Sequence, residues 1–483
     1  MYWSKFLHTK KQTDFKKQPQ LKPSYYNPYS IISRAFVARF PFLFALMLFL
    51  LGCGGGAAGN LSSAPSGAKS VSGSPSAGSA IVNQSSVSLS NFGNAGFGGD
   101  DTSVLQNALN TAASNGQVLR IAAGNYNVNP ISFPDNSQVA LDAGVTITAN
   151  AGYGPSDKML TIKSQNVTIA RAGASSVIFQ MRKGEYAAEH AVDGSEYRHC
   201  LDIEGASNVK ISGISCNQSG GDGLYIGAAS VQGAPSQNVT ISDCIFDRNF
   251  RQGFSLISGQ HVFIYRSYFT NTSGTNPEAG IDVEPNNPSN MVADVHIEDS
   301  FTTGNAGPGV KLSIWKLTGA SPAVGVTVLR HHSSSNLQSG YDANNSDLSA
   351  NTQGQMLVQD SFSENDGDYG ALGHWYEATG PALIFQNLSI TNPHQKGPDL
   401  TYHDSAAVGV MRGGGGQMPL GNIQFQGVNI AVTNGKVDRY FNFADDSGKG
   451  VEKMVFNPGN LSGVSQTPPN GLVQWAGFNT VNQ

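Results

Sequence analysis

Two carboxylates and a lysine occupy related positions in neighbouring repeats of this sequence. Asp282 and Glu284 lie two residues apart in GIDVEP, and Lys311 takes the position of Asp282 in the next repeat, GVKLS. In a β-strand, residues two apart point to the same face, with their Cα atoms roughly 6–7 Å apart. Two carboxylates at that spacing repel each other and raise one pKa, which suits general acid–base chemistry.

Arg251 and Tyr225 complete the set of catalytic candidates. Arg251 precedes the repeat GFSL, and Tyr225 lies within the repeat GLYI. A β-elimination needs a base beside a sugar carboxylate, and Lys311, Tyr225 or Arg251 can take that part. The pair Asp282 and Glu284 can instead act as the acid and base, or the acid and nucleophile, of a glycoside hydrolase.

Polar and aromatic residues that flank the same repeats are candidates for substrate binding. Several follow the polar insertion at residues 182–197, and long excursions from a repeat often form the wall of a cleft. The candidates are Arg198, His199, Asp202, Asp222, Gln252, Trp315, His374 and Trp375. For the charged residues, the alternative is a solvated surface without a binding role. For the His and Trp residues, the alternative is a structural role, which is more common for an isolated His or Trp.

The strands that position these residues recur in a fixed order. A motif of the type Asn-Val-x-Ile begins at residues 166, 208, 238, 261, 294 and 325, and a Gly-led strand begins at 223, 253, 280, 309 and 340. A single copy cannot bury its own apolar face, so the copies must stack. An antiparallel sandwich does not explain why the same strand types return in order. The pattern predicts an all-β fold, a parallel β-helix.

The period of two predicts which residues of each Gly-led strand face outward. The second and fourth residues are apolar and point to the core, so the third residue points away from it. The outward column is Asp202, Tyr225, Ser255, Asp282, Lys311 and Asp342. Charged residues make up only 13% of the chain, so a column that holds this many of them is a candidate site.

The segment after residue 92 resembles the pectate-lyase-like superfamily. Asp100, Asp101 and Thr102 open a predicted helix at 101–115, and a strand ending in AAGNY follows it. The resemblance covers residues 92–480 and implies a right-handed β-helix with an N-terminal capping helix. It also implies a polysaccharide lyase, a glycoside hydrolase or a uronate epimerase. The Gly-His-Gly and Arg-Ile-Lys motifs of polygalacturonases are absent, so no catalytic residue carries over.

The first 52 residues are predicted to be an export signal. Residues 40–51 are almost wholly apolar, follow a basic segment and are too short to span a bilayer comfortably. LLGC at 50–53 resembles the lipobox of bacterial lipoproteins, which implies lipidation of Cys53 and an outer-membrane location facing the periplasm or the surface. An ordinary signal peptide and secretion are the alternative. Residues 53–90, rich in Gly, Ala and Ser, are predicted to be a flexible tether before a single domain at 91–483.

Composition limits the partners. The 483-residue chain has a formal net charge of −5, and residues 1–52 hold eight basic residues and one acidic one, so the remainder carries −12. A pI near 6.0 argues against binding nucleic acid. Four cysteines in 483 residues exclude a disulfide scaffold. We expect a monomer that touches the membrane only through its lipid.

The leading functional prediction is a polysaccharide lyase that acts on a uronate-containing polymer. Asp202, Asp282 and Glu284 are candidate ligands of Ca²⁺, which would bridge an acidic protein to an acidic polymer. A glycoside hydrolase and a uronate epimerase are the enzymatic alternatives. A non-catalytic glycan-binding surface protein is the alternative from another class.

Overall fold

The computed structural model describes residues 85–464 except 231, 346–350, 398–404 and 413–415, together with the backbone of 473–476. The predicted signal peptide, Cys53 and most of the tether lie outside these residues and stay predictions. The described part of the chain contains three parallel sheets and two α-helices. Neither helix is long and apolar enough to cross a membrane.

Sheet 1 contains the strands that follow the Asn-type motif. Its strands, numbered in chain order, are β1 (Ser86–Ser88), β3 (Val118–Ile121), β6 (Gln138–Asp142), β9 (Gln165–Ala172), β12 (Ser207–Ser212), β15 (Ser236–Ser242), β18 (Gly259–Tyr265), β21 (Val292–Glu298), β24 (Val324–Leu329), β27 (Gly354–Gln359), β30 (Ala382–Gln386), β33 (Leu420–Gln426) and β36 (Val451–Asn457). The first strand begins at Ser86, inside the segment predicted to be a tether.

Sheet 2 consists mainly of short strands on a second side. They are β2 (Phe97–Asp100), β4 (Gly124–Val128), β7 (Val145–Ala149), β10 (Ile178–Gln180), β13 (Ser215–Asn217), β16 (Ile245–Asp247), β19 (Tyr268–Thr270), β22 (Phe301–Thr303), β25 (His332–Ser334), β28 (Phe362–Glu364), β31 (Ser389–Thr391), β34 (Asn429–Ala431) and β37 (Leu461–Ser462). In many of these strands the middle residue is buried and its two neighbours are more exposed.

Sheet 3 carries the Gly-led strands and the candidate residues. Its strands are β5 (Ile131–Phe133), β8 (Leu160–Ile162), β11 (Leu201–Glu204), β14 (Leu224–Gly227), β17 (Phe254–Leu256), β20 (Ile281–Val283), β23 (Val310–Ser313), β26 (Tyr341–Asn344), β29 (Ala371–His374), β32 (Ala406–Arg412), β35 (Arg439–Asp445) and β38 (Val473–Ala476). In each sheet, neighbouring strands are parallel and belong to successive turns of the chain. The predicted parallel β-helix is confirmed.

Asparagine begins the repeat motif because the backbone turns there into the left-handed region. Asn166, Asn208 and Asn238 have φ angles of 60°, 57° and 53°, a conformation that asparagine tolerates better than most residues. Their side chains form a ladder in which Asn208 Nδ2 donates to Asn166 Oδ1 at 3.0 Å, and Asn238 Nδ2 donates to Asn208 Oδ1 at 3.1 Å. One residue type therefore sets the bend and links successive turns.

Glycine leads the strands of sheet 3 because another part of the turn packs closely against it. A Cβ at Gly309 would lie 2.2 Å from Ser333 Oγ and 2.8 Å from the carbonyl oxygen of Gly340. Ser333 belongs to an interior polar ladder and donates to Asp366 at 3.1 Å. The glycine thus leaves room for buried hydrogen bonds, which a side chain would displace.

A helix caps the start of the solenoid, as predicted. Helix α1 spans Thr102–Ser114, close to the predicted 101–115, and buries Leu105 and Leu109 against the first turns. A second helix, α2 (Lys183–Asp193), lies within the polar insertion before β11. The three described cysteines, Cys200, Cys216 and Cys244, are unpaired and buried.

Candidate active site

The outward column of sheet 3 has the predicted register. Paired Cα positions run in the order Asp202, Tyr225, Ser255, Asp282, Lys311 and Asp342. These residues belong to successive strands from β11 to β26. Adjacent members are therefore about 4.8 Å apart along the ladder.

Much of this column is covered instead of open to solvent. Asp202 and Asp282 are almost completely buried, although their strand positions point away from the core. The side chains that reach solvent above them belong to Arg251, Glu284 and Glu196, which are 18%, 21% and 26% exposed. The site therefore has a buried acidic floor and a charged rim.

Asp282 forms the centre of the buried floor. Gln252 Nε2 donates to Asp282 Oδ2 at 2.7 Å, while Gln252 Oε1 accepts from the backbone N–H of Ala279 at 3.0 Å. Burial raises the pKa of Asp282 well above its usual range, and the neighbouring Glu284 raises it further. Asp282 is thus a buried carboxyl beside the more exposed Glu284. Gln252 is itself buried and orients Asp282, so it does not contact a substrate directly.

Arg251 lies among three carboxylates. Its Nε is 3.5 Å from Glu196 Oε1, and its two terminal nitrogens are 3.7 Å from Asp222 Oδ2 and 3.5 Å from Glu284 Oε2. Burial alone lowers the pKa of Arg251, but Asp222 and Asp282 together with the two glutamates raise it overall. The guanidinium stays charged and links the insertion to β14 and β20.

Asp222 is a fully buried carboxyl whose contacts are long. Its Oδ2 lies 3.5 Å from His199 Nδ1 and 3.7 Å from Arg251, and Ser255 is near enough to lower its pKa, but neither oxygen has a described partner in good hydrogen-bond geometry. Burial raises the pKa of Asp222 to about 6, and the positive charge of Arg251 opposes part of that rise. Buried polar atoms are normally hydrogen-bonded, so an unpaired carboxyl is a mark of a functional position.

His199 and Tyr225 form a stacked pair beside Asp222. Their ring centroids are 4.8 Å apart with an interplanar angle of 11°. His199 Nδ1 accepts from the backbone N–H of Asp222 at 2.9 Å, which places the proton of the neutral ring on Nε2. Burial lowers the pKa of His199 well below its usual range and raises the pKa of Tyr225. His199 is therefore a buried support for Tyr225 and not a residue of the open surface.

Lys311 is held by an acidic partner on the next strand. Its Nζ donates to Asp342 Oδ2 at 3.0 Å. Burial alone would lower the pKa of Lys311, but Asp342, Asp282 and Glu284 raise it above its usual range. Lys311 is consequently a stable cation rather than a ready base.

Asp202 lies too far along the sheet to share an ion with Asp282. The strands β14 and β17 separate them, which corresponds to about 14 Å of ladder. Burial raises the pKa of Asp202 to about 7. No group of three or more metal-binding side chains suited to an ion occurs among the residues that the structure describes. The predicted calcium set of Asp202, Asp282 and Glu284 therefore does not fit one ion.

Arg198 is enclosed by the insertion and cannot contact a polymer. It donates to Tyr153 O at 3.1 Å and to Ser195 Oγ at 2.7 Å, and it pairs with Glu189 of helix α2. Its guanidinium also lies over the ring of Tyr186, 5.1 Å from the centroid. Arg198 thus anchors the insertion against the solenoid, which corrects its prediction as a substrate-binding residue.

The aromatic candidates lie towards later strands of sheet 3. Trp315 follows β23, is partly exposed, and has the Lys316 ammonium 3.5 Å from its ring centroid. His374 ends β29 and Trp375 follows it, with ring centroids 6.4 Å apart. Three strand steps, or about 14 Å, separate β29 from β20. His374 and Trp375 are therefore too far from Asp222 and Glu284 to contact the same small group.

Glu196 is the rim residue that the sequence did not single out. It lies near the end of the insertion, two residues before Arg198, and its contact with Arg251 joins the insertion to the outward face of sheet 3. The polar character of the insertion is visible in the sequence. The contact between Glu196 and Arg251, which are more than fifty positions apart, depends on how the turns stack.

Other buried oxygens of this face also lack partners within the described residues. They are Asp202 Oδ1, Asp282 Oδ1, Ser313 Oγ, Asp342 Oδ1 and Asn344 Oδ1. They extend over several strands of sheet 3 and are not confined to one point. Buried polar atoms are normally hydrogen-bonded, so this row is a candidate for bound water or for a ligand that displaces its cover.

Comparisons with known proteins establish the fold alone. No protein-family model matches the chain, and no curated protein matches it. Among solved structures, an endo-xylogalacturonan hydrolase from Aspergillus tubingensis is similar at 14% identity and a TM-score of 0.53, over 77% of this chain and 99% of that one. The A-module of a mannuronan C-5 epimerase from Azotobacter vinelandii is similar at 16% identity and a TM-score of 0.52, over 82% of this chain and 100% of that one. A family 28 exopolygalacturonase from Yersinia enterocolitica is similar at 12% identity and a TM-score of 0.52, over 82% of this chain and 77% of that one. The chain shares their right-handed parallel β-helix.

Proposed function

We propose that this protein is a polysaccharide-cleaving glycoside hydrolase whose reacting carboxyl groups are Asp222 and Glu284. The observation that carries the proposal is the environment of Asp222, a buried carboxyl with a pKa of about 6 beside the same guanidinium as the more exposed Glu284. Carboxyl groups in such different environments divide into an acid and a base. Asp222 would donate a proton to the leaving oxygen, and Glu284 would act as base or nucleophile.

The separation of these two groups suits glycoside hydrolysis. Asp222 Oδ2 and Glu284 Oε2 lie 3.7 Å and 3.5 Å from nitrogens of one guanidinium. They are therefore no more than about 9.5 Å apart, and carboxyl pairs of glycosidases lie about 5–9.5 Å apart. The contacts of Arg251 are long for hydrogen bonds, so a substrate can displace this side chain to reach the buried Asp222.

The same surroundings weaken the case for β-elimination. Lys311, Tyr225 and Arg251 were the predicted bases, and each has a pKa raised above its usual value. A base must be deprotonated at the working pH. Elimination and epimerisation both need that base. Because the three candidates stay protonated, their surroundings favour hydrolysis by carboxyl groups over the elimination that the sequence suggested.

A polymeric substrate is supported by the length of the polar face. The unpartnered oxygens run from β11 to β26, and Trp315 and the pair His374 and Trp375 lie beyond the centre. Sugar hydroxyls supply hydrogen-bond donors, and aromatic rings pack against sugar rings. The names of the similar structures, which include a xylogalacturonan hydrolase and a mannuronan epimerase, support a polysaccharide without identifying it.

A glycan panel with two readouts tests the proposal. New reducing ends without absorbance at 235 nm are the expected result, because elimination alone creates an unsaturated sugar. Asp222→Asn and Glu284→Gln are each expected to lower kcat by at least about a hundredfold. The activity of the wild type should decline as the pH rises above about 6, where Asp222 loses its proton.

Glu204→Gln provides the matched control. Glu204 lies on the same face at the end of β11, where it pairs with Lys163 and not with Arg251. We expect this variant to keep its kcat. Absorbance at 235 nm would show elimination and contradict hydrolysis, and glycan binding without any turnover would identify a binding protein.

A further inference from the structure

The charge around the proposed reaction centre restricts the sugar that it can accept. We use the name charged centre for the side chains of Glu196, Asp222, Arg251, Asp282, Glu284, Lys311 and Asp342. The centre contains five carboxyl groups and two cations. With Asp222 holding the proton that the proposed hydrolysis needs, four carboxylates and two cations leave a formal excess of two negative charges.

Both cations of the charged centre already have acidic partners. Arg251 contacts three carboxylates at 3.5–3.7 Å, and Lys311 binds Asp342 at 3.0 Å. Lys158, which precedes β8, acts on His199 and Asp202 towards the other end of the face and not on Asp282. Within the described residues, each cation of the charged centre already faces carboxyl groups of the protein, so a sugar carboxylate must compete with those partners even where Arg251 moves.

A uronate carboxylate would enter this centre as a further negative charge. Like charges placed together reduce affinity and reject a partner even where its shape fits. An uncharged sugar avoids that repulsion, and its hydroxyls can donate to the unpaired oxygens of Asp222 and Asp282.

We infer that the sugar bound at the charged centre is uncharged and that the substrate is a neutral glycan instead of a polyuronate. This inference rests on the proposed hydrolase. It departs from the expectation of a uronate-containing polymer, which rested on a base and a bridging calcium ion. The surrounding carboxylates would discriminate against acidic polymers by electrostatic repulsion.

A matched pair of polymers isolates the charge. Polygalacturonan and its methyl-esterified form have the same backbone and differ in the charge of the sugar carboxyl. They are assayed beside neutral xylan, galactan and glucomannan and beside alginate, with reducing ends as the readout. The esterified or neutral polymers are expected to have a kcat/KM at least tenfold above that of the polyuronates.

Ionic strength and one rim variant test the electrostatic cause. Salt screens exposed charges, so the ratio of neutral to uronate activity should fall between about 0.01 and 0.5 M NaCl. Glu196→Gln removes one acidic partner of Arg251 and should lower that ratio at least threefold. Glu204→Gln, on the same face but outside the charged centre, should leave the ratio unchanged.

The possible failures are distinct. Cleavage of a polyuronate as fast as the neutral forms, or a ratio that salt does not change, overturns the inference while hydrolysis itself stands. If no polymer is cleaved, the proposed hydrolase is wrong, and affinity electrophoresis of the wild type decides the sugar class. Tighter retardation by neutral polymers then supports the inference, and equal or tighter retardation by polyuronates, or none by any polymer, overturns it.

Discussion

Replacing Asp222 with asparagine should stabilise the protein at neutral pH while it removes the proposed acid. Burial raises the pKa of Asp222 from 3.8 to about 6 in the folded chain, so its charged form is unfavourable there in spite of Arg251. Between these two values the unfolded chain binds fewer protons than the folded chain. Stability is therefore greatest below the unfolded pKa and falls as the pH rises through the folded pKa.

The size of the effect follows from the shift. About two pKa units correspond to about 3 kcal/mol, the cost of keeping Asp222 ionised at pH 7.5. The side chain is fully buried, so solvent screening does not reduce this figure. For a domain of this length, about 3 kcal/mol corresponds to a rise in Tm of about 4 °C.

Thermal unfolding followed by circular dichroism at pH 7.5 and pH 4 measures the difference. Asp222→Asn should raise Tm at pH 7.5, and the gain should shrink towards pH 4, where Asp222 of the wild type carries a proton. Glu204→Gln, which removes a partly exposed ion pair with Lys163, should change Tm little at either pH. A lower Tm for Asp222→Asn at pH 7.5, or a gain independent of pH, would refute the reasoning and make Asp222 a stabilising partner of Arg251.

Two further predictions concern the interior. The Tm of Asp366→Asn relative to the wild type should be higher at pH 7.5 than at pH 4, since burial raises the pKa of Asp366 to about 6, and kcat should stay unchanged. The hydrogen bonds that Asp366 accepts from Ser333, Ser363 and Asn336 are altered at both pH values, so a Tm difference that does not vary with pH would contradict this. Gly309→Ala should lower the free energy of unfolding by about 1–3 kcal/mol, because its Cβ would lie 2.2 Å from Ser333 Oγ. Gly184→Ala is the control, since open space surrounds Gly184, and it should not lower stability. Equal melting curves for the two variants would disprove the packing argument.

The fold could be predicted because local chemistry repeats in the sequence. The recurrence of the Asn-type motif predicted stacked turns with strands in a fixed order, and the structure adds that Asn166 and Asn208 adopt positive φ. The Gly-led strands were also correctly placed. Their glycines were expected as turn residues, but Gly309 is needed for the close approach of Ser333, a contact between separate strands that the sequence alone does not reveal.

The candidate site could be predicted only as a list of aligned residues. The period of two identified the outward column from Asp202 to Asp342, and pairing in sheet 3 confirms it. Exposure could not be inferred, because the cover over Asp282 depends on where Arg251 and the insertion fold. Lys311 illustrates the same limit, since its character as a cation depends on Asp342 of the following strand.

The stacking of parallel strands does not require the carboxyl groups of Asp282 and Glu284 to lie close together. Parallel strands in register place equivalent residues about 4.8 Å apart, so a column of like charges would be destabilising. The outward column avoids this, since neutral Tyr225 and Ser255 separate Asp202 from Asp282, and Lys311 separates Asp282 from Asp342. Glu284 breaks that separation by adding a second carboxyl beside Asp282, and the result is a buried acid with a raised pKa. The same spacing recurs in β11, where Glu204 lies beside Asp202 and likewise raises its pKa. Neither pair gains stability from its proximity, so we attribute the pair beside Arg251 to the proposed site, in which Asp282 lies next to Glu284.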